Sequence, residues 1–339
     1  MEVFVTSPWV PAEWIKAHGL EPRGAWLGKT GQPVAVPQGV CAFAQKMTEL
    51  ARAHPAVAVV FTTACDQMRR AADAVAAADS SRLFLFNLPA TWQSSAARRL
   101  YHAELARLGK FLETLGGRTP TDAQLAGVIC AYEACRTALR AFMLRGSARR
   151  TAEALAIYFA GSARSSSGSG GSLPCRHSLE SASAALGRDA APVGVPLALV
   201  GGPLLPTQWP LFDAVESAGG CVRLNATEPS ERTLLPPLPN AASGQSLPGM
   251  LADHYFDHAV DVFHRPNSRL YAWLRSRLSE RRVRGIVLWV HVGCDLWRAE
   301  ASSLREAFEL PVLVLEAHEV HAGGLRDTNR LTAFIESLQ

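Results

Sequence analysis

Short runs of nearly uninterrupted Val, Ala, Leu and Phe punctuate this chain, and most are followed by a segment with helical periodicity. VFVTS at 3–7, AVAVVFTT at 56–63 and LFLFNLP at 83–89 are strand-length, and helical patterns at 11–18, 41–53 and 67–78 lie between them. A strand with one wet face alternates apolar and polar residues, whereas these runs are apolar at successive positions and must be covered on both faces. Strand, helix and strand in that order predict a parallel sheet held between helical layers. An N-terminal α/β domain over 1–90 follows.

The pattern then changes. LYHAELARLGKFLETLGG and AQLAGVICAYEACRTALRAFML carry apolar residues at 3.6 spacing, Gly116-Gly117 closes the first, and Thr121 with Gln124 opens the second as a capping box. The Gly/Ser-rich tract at 161–174 is too polar to pack and reads as a flexible loop, so 91–190 is a helical section. From Val195 the strand–helix alternation resumes: VPLALVGG at 195–202, a helix at 212–218, CVRLN at 221–225 and a Pro-rich loop at 234–248. Helical stretches at 249–258 and 268–281, GIVLWVHV at 285–292, PVLVLEA at 311–317 and a last helix at 329–338 complete a C-terminal α/β domain over 191–339. The predicted fold is α/β, with two Rossmann-like parallel-sheet domains and a helical section between them.

Composition removes several function classes. Lys plus Arg number 34 against 30 Asp plus Glu, a formal charge of +4, which gives no electrostatic case for a nucleic-acid partner. The longest apolar stretches, 56–62 and 286–292, fall far short of the roughly 20 residues that cross a bilayer. The start, MEVFVTSPWVP, lacks a basic n-region and reads as a first strand rather than a signal peptide. The expected compartment is therefore the reducing cytoplasm, where the seven cysteines are candidates for metal ligation or packing rather than disulfides.

Ligands of open parallel sheets gather outside the carboxyl ends of the strands, where loops and helix N-termini present free donors. Two cysteines fall there, each followed by Asp: Cys65 in FTTACDQMRR and Cys294 in WVHVGCDLW. Cys41, in VPQGVCAFAQK, opens a helix whose dipole favours a thiolate. Three thiolates on loops of facing domains suit an iron-sulfur cluster with one iron left open, although the spacing makes no local motif and a lone cysteine is more often a small buried hydrophobe. Cys130, Cys135 and Cys221 read as packing residues, and Cys175 as exposed. LVGGPLLP, with Gly201-Gly202, lacks the G-x-G-x-x-G pattern of a dinucleotide loop and reads as a tight turn.

Read together, VPAEWIKAHGLEP, PQGVCAFAQK, ACDQMRR, NLPATWQSSAARRLYHAELARLGKFLETLGG, LALVGGPLLPTQWPLFDAVESAGGCVRLN, VRGIVLWVHVGCDLW and PVLVLEAHEVHAGGLRDTNRLTAFIESL resemble, in order and spacing, the 2-hydroxyacyl-CoA dehydratase family. That family includes the 2-hydroxyglutaryl-CoA dehydratase D-component and the small subunits of benzoyl-CoA reductase. The resemblance implies a 4Fe-4S cluster held by Cys41, Cys65 and Cys294, and one cubane only, since Asn225-Ala226 and Ala259 to Val262 stand where a double-cubane branch has further cysteines. It implies a heterodimer with a homologous second subunit, an ATP-dependent iron-sulfur activator, an acyl-CoA substrate and radical dehydration of a 2-hydroxyacyl thioester in anaerobic metabolism. The alternatives are a benzoyl-CoA-reductase-type acyl-CoA reductase subunit, an electron-transfer subunit without its own substrate site, and a metal-free α/β binding protein. The chain's length points to the smaller, electron-relaying subunit. No catalytic residue is assigned. His291, Asp66 and Asp295 are candidates for supporting the ligands, Arg69 and Arg70 for meeting phosphates or the activator, and Glu316 with Arg330 for an ion pair fixing the last helix.

Overall fold

The computed structural model describes residues 1–28, 39–143, 146–160, 193–239, 245–317 and 325–339. The Gly/Ser-rich tract at 161–174 and Cys175 lie outside the described residues. Strands β1 (Glu2–Val5), β2 (Glu21–Gly24), β3 (Ala58–Thr62) and β4 (Leu83–Phe86) form one parallel sheet in the order β2-β1-β3-β4. Strands β5 (Val195–Pro203), β6 (Gly220–Glu228), β7 (Gly285–His291) and β8 (Val312–Ala317) form a second, β6-β5-β7-β8, also parallel throughout. The two orders are the same. In each, the chain returns past its first strand to place the third, so a topological switch point lies between β1 and β3 and again between β5 and β7.

Strand β2 has the sequence EPRG and carries none of the apolar signal of its neighbours. It is held by register, Glu2 opposite Glu21 through Val5 opposite Gly24, and its edge position tolerates Pro22, which has no N–H to donate. The glycines of LVGGPLLP are not a turn but the last part of β5. Gly201 has φ +150° and pairs with Trp289, and a Cβ on it would stand 2.0 Å from the Trp289 carbonyl oxygen, so no side chain fits there.

Helices α1 (Ala12–Ala17), α2 (Ala42–Ala53), α3 (Asp66–Ala76), α4 (Ser95–Thr114), α5 (Asp122–Met143) and α6 (Ala148–Phe159) belong to the first half of the chain. Helices α7 (Pro210–Ser217), α8 (Leu247–Asp257), α9 (Ser268–Glu280), α10 (Asp295–Phe308) and α11 (Leu325–Glu336) belong to the second. Phe4, Val59 and Phe61 of the first sheet pack on α2 and α3 through Met47, Ala51, Met68 and Ala71, while Val3, Val5, Val60 and Phe86 pack on the opposite side with α1 and α4. The second sheet is covered by α6, α7 and α11 on one face and by α9 and α10 on the other. The capping box forms as its sequence suggests, with the Thr121 amide donating to Gln124 Oε1 at 2.9 Å and the Gln124 amide donating to Thr121 Oγ1 at 3.3 Å.

The halves interlock rather than merely touch. Helix α8 follows β6 in the chain yet buries Leu251, Tyr255 and Phe256 in the N-terminal core, beside Trp9, Tyr101 and Leu105. Arg98 of α4 donates to both oxygens of Asp257, at 2.6 and 3.0 Å, and to Asp253 at 2.6 Å. Beneath these lies a fully buried pair: Glu13 of α1 accepts from Arg136 of α5 and, at 2.6 Å, from the Tyr255 hydroxyl of α8. Cys135, next to Arg136, is buried and disulfide-bonded, which corrects the expectation that it only packs. Cys135 packs with Tyr132, Leu139, Phe142 and Leu155. Cys130 is exposed rather than packed, because it lies on the opposite side of α5.

Burial by itself would raise the Glu13 carboxyl, but Arg136 and the Tyr255 hydroxyl outweigh it and hold the group below its ordinary 4.5. Removing one partner of such a pair leaves a buried charge uncompensated. Glu13→Gln is expected to cost about 3 kcal/mol, read from the urea midpoint near neutral pH. Because the folded value lies below the unfolded one, this contribution is present above about pH 4.5 and is lost as the pH falls through the folded value. An unchanged midpoint in the variant would show that the pair does not hold the halves together.

Candidate cofactor site between the two sheets

The three cysteines singled out in the sequence occupy the same kind of place. Cys65 is the N-cap of α3, directly after β3, and Cys294 is the N-cap of α10, directly after β7. These are equivalent positions, each following the third strand of its sheet and so each beside a switch point. Cys41 is the N-cap of α2, which leads from β2 into β3.

The carboxyl ends of the two sheets face each other, and Leu205, just beyond β5, packs in the N-terminal cluster that holds Cys41, Phe43 and Met68. Gly293, at φ +84°, turns the chain between β7 and Cys294, and a Cβ built there would lie 3.7 Å from the Cys41 amide nitrogen. That Cys41 amide donates to Gln67 Oε1 of α3 at 2.9 Å. One residue is thus held against both of the other helices. The thiols sense each other: Cys65 interacts electrostatically with Cys41, and Cys294 with both.

Burial is the main influence on all three sulfurs and favours the neutral thiol. It pushes Cys41 up, Cys65 up to about 11 and Cys294 up to about 12, and neighbouring thiols and carboxylates add to the rise at Cys65 and Cys294. Backbone amides of the capped helices pull the other way: those of Phe43 and Ala44 at Cys41, Gln67 and Met68 at Cys65, and Trp297 at Cys294. None closes into a full side-chain cap. Amides aimed at a sulfur but not consumed by it are what a thiolate bound to a metal cluster draws on. Among the described residues no group of three or more His, Cys, Asp or Glu can hold a single metal ion. A cubane takes one thiolate per iron, so its ligands need not converge on one atom, and the donor set of three thiols fits such a group with one iron left over.

A charged network that the sequence left unmarked lies next to these sulfurs. Arg232 is fully buried and bonds Asp261, which also accepts from Trp9 Nε1 of the β1–α1 loop at 3.3 Å, so this contact spans both halves. The Arg232 guanidinium lies 5.2 Å from the centre of the Trp297 ring, one turn after Cys294, and 4.0 Å from Glu228. Burial, and then Asp261 beside it, push the Glu228 carboxyl up to about 8 against the pull of Arg232. Glu228 is the last residue of β6, three beyond the predicted strand end at 225; following that strand to its carboxyl end would have found it. Arg232 and Asp261 lie in irregular segments and carry no pattern of their own.

The other candidates separate. His291 ends β7 and is buried; its Nε2 lies 2.7 Å from the Pro203 carbonyl, which places the proton there and leaves Nδ1 a bare acceptor with no partner among the described residues. Its ring centre stands 6.3 Å from that of Phe43, two residues beyond Cys41, and burial lowers its pKa. Asp66 and Asp295 are exposed first-turn residues of α3 and α10, favoured there by the helix dipole. Arg69 and Arg70 are exposed, with Arg69 3.9 Å from Asp66. The expected Glu316–Arg330 pair does not form. Glu316 pairs instead with Arg298 of α10 at 2.7 Å, and Arg330 holds the last helix by donating to the Val314 carbonyl at 2.8 Å, because the strand backbone is closer than the outward carboxylate. Cys221 is buried, with its Sγ 3.4 Å from the Gly194 carbonyl.

The family model for the 2-hydroxyglutaryl-CoA dehydratase D-component matches residues 9–338. The chain belongs to this family. The match takes in all three N-cap cysteines and every strand except β1. No curated protein matches it. Among its described residues no helix is long and apolar enough to cross a membrane.

The raised thiols make a chemical prediction. In protein treated with an iron chelator, at about pH 8, iodoacetamide should label exposed Cys130 at least about tenfold faster than Cys65 or Cys294, because the thiolate is the attacking form. Peptide mass mapping over time measures this. Cys65 labelling as fast as Cys130 would mean that its sulfur is neither desolvated nor neutral.

Proposed function

We propose that the chain is a 4Fe-4S cluster-binding subunit of a 2-hydroxyacyl-CoA dehydratase-type enzyme, with Cys41, Cys65 and Cys294 as the cluster's ligands. The observation that carries this reading is the placement of the three cysteines at helix N-termini on the facing carboxyl ends of two like-ordered sheets, in a chain of this family. A bound cluster would supply single electrons at low potential, which is what radical removal of a 2-hydroxyl group from a thioester requires.

The protein's own part is holding, orienting and drying the site. Cys41, 7% exposed, with Phe43, Met68 and Leu205 around it, forms an apolar wall, and exclusion of water strengthens every charge interaction inside. Arg232 and Trp297 fix the first turn of α10 behind Cys294. Burial, and then Asp261 to which it is hydrogen-bonded, push the Glu228 carboxyl up, so the Glu228–Asp261 pair holds a proton more firmly than a free carboxyl does. His291, with no partner at Nδ1 among the described residues, can accept a hydrogen bond. A homologous second subunit and an ATP-dependent activator complete the enzyme in this reading, in keeping with the family.

The test is spectroscopic. Protein isolated without oxygen and reduced by one electron should show an EPR spectrum that a 2-hydroxyacyl-CoA alters and an aromatic acyl-CoA does not. A response to the aromatic thioester alone would favour the reductase reading. No response to either would remove a substrate site from this chain and leave electron transfer.

A further inference from the structure

Both sheets are open, so among the described residues there are four edge strands: β2 and β4 in the first sheet, β6 and β8 in the second. An edge strand is hydrogen-bonded on one side only, and its other row of N–H and C=O groups is a template for a strand from another chain. The hazard is plainest at β4 and β8, whose sequences LFLF and VLVLEA are largely apolar and uncharged.

The ladder bonds show which groups point outward. The Pro311 and Ala317 carbonyls accept from the Ile286 and Val292 amides of the β7 side, at 2.9 and 3.1 Å. Carbonyls alternate along a strand, so those of Val312, Val314 and Glu316 face away from β7. Arg305 of α10 donates to the Val312 carbonyl at 3.1 Å, and Arg330 of α11 to that of Val314 at 2.8 Å. The third outward carbonyl belongs to Glu316, whose own side chain is paired with Arg298. On β4 the Arg82 and Phe86 carbonyls accept from the Val59 and Thr63 amides, which leaves the Leu85 carbonyl outward. Arg107 of α4 donates to it, lying 4.2 Å over the Phe84 ring and anchored by Glu104. On β6 the register with β5 skips Arg223, and the Arg223 carbonyl takes a bond of 2.7 Å from Arg281, just after α9. On β2 the Glu21 amide donates inward to Met1, so position 22 turns its nitrogen outward, and proline there has no N–H to offer.

One device thus recurs on three edges, and the fourth reaches the same end with a proline. A guanidinium satisfies an outward carbonyl as the N–H of a neighbouring strand would, but it carries no acceptor and ends the ladder in a charge. We propose that Arg305, Arg330, Arg107, Arg281 and Pro22 are edge caps that stop a second copy of this chain from extending either sheet. The chain depends most on the caps of β8, since that edge takes two of them and its Val312, Leu313 and Val314 are only half-buried. Uncapped, β8 would pair with β8 of a second copy about a two-fold axis, which sets the two strands antiparallel and fuses two sheets into one. Assembly with any other subunit is thereby left to surfaces other than strand edges. Nothing in this inference needs the cluster.

Sedimentation velocity of the whole chain, with a thiol reductant present and over a series of concentrations, tests this. Arg305→Met with Arg330→Met removes both donors from β8 while keeping their aliphatic stems. It should raise the self-association constant at least about tenfold over the wild type, with amide exchange across 312–317 slowed in the associated form. Arg305→Met alone, which leaves the Arg330 hold on the last helix intact, should act in the same direction by less. Arg305→Lys with Arg330→Lys returns a donor to each site and should behave as the wild type. Arg69→Met with Arg70→Met makes the same change of charge on the exposed side of α3 and should leave association unchanged. The proposal is overturned if both Met variants of β8 stay as monomeric as the wild type or associate without slowed exchange at 312–317. It is equally overturned if the Lys pair or the α3 pair associates as strongly as the Met pair of β8.

Discussion

Three helix N-termini from two separate sheets aim at one crevice, and the rest of the molecule serves to keep them there. A helix start concentrates unpaired amides and the positive end of a dipole, so three of them around three sulfurs favour negative charge more than one would alone. The counterforce is desolvation, which on its own keeps the Cys65 and Cys294 thiols neutral. A bound cation-rich group of the kind proposed would resolve the conflict, because it would replace the thiol proton and use the amides that no cap consumes.

Aim of that kind demands a rigid relation between the halves, and the fold supplies it in layers. Helix α8 leaves the second sheet to complete the first core, the Glu13–Arg136–Tyr255 network sits beneath it, and Arg98 closes over it with Asp253 and Asp257. Closer to the cysteines, Trp9 and Arg232 meet on Asp261 from opposite halves. Such buried ion pairs do little for net stability compared with apolar packing, but removing one partner is costly, and that makes them good registers of position.

How much of this was legible depends on what signals its own secondary structure. Strands such as AVVFT and GIVLWVH announce themselves because both faces are buried, and with them come their carboxyl ends, hence the places of Cys65 and Cys294. Strand β2 was hidden because EPRG is an edge strand stabilised by pairing rather than by composition. Gly201-Gly202 was misread as a turn because close approach to the Trp289 backbone and a turn ask for the same residue. The Glu228–Arg232–Asp261 network was unreadable, since its members owe their proximity to the packing of β6 against loops far apart in the chain. The proposal that the three cysteines form one ligand set leans on the family resemblance, since their spacing makes no local motif.

The most direct measurement is the iron and acid-labile sulfide content of protein purified without oxygen, for the wild type and for Cys41→Ser, Cys65→Ser, Cys294→Ser and the exposed control Cys130→Ser. The account predicts about four irons and four sulfides per chain in the wild type and the control, with loss in each of the other three. Iron retained at wild-type levels after all three substitutions, or absent from the wild type even after anaerobic reconstitution, would contradict it.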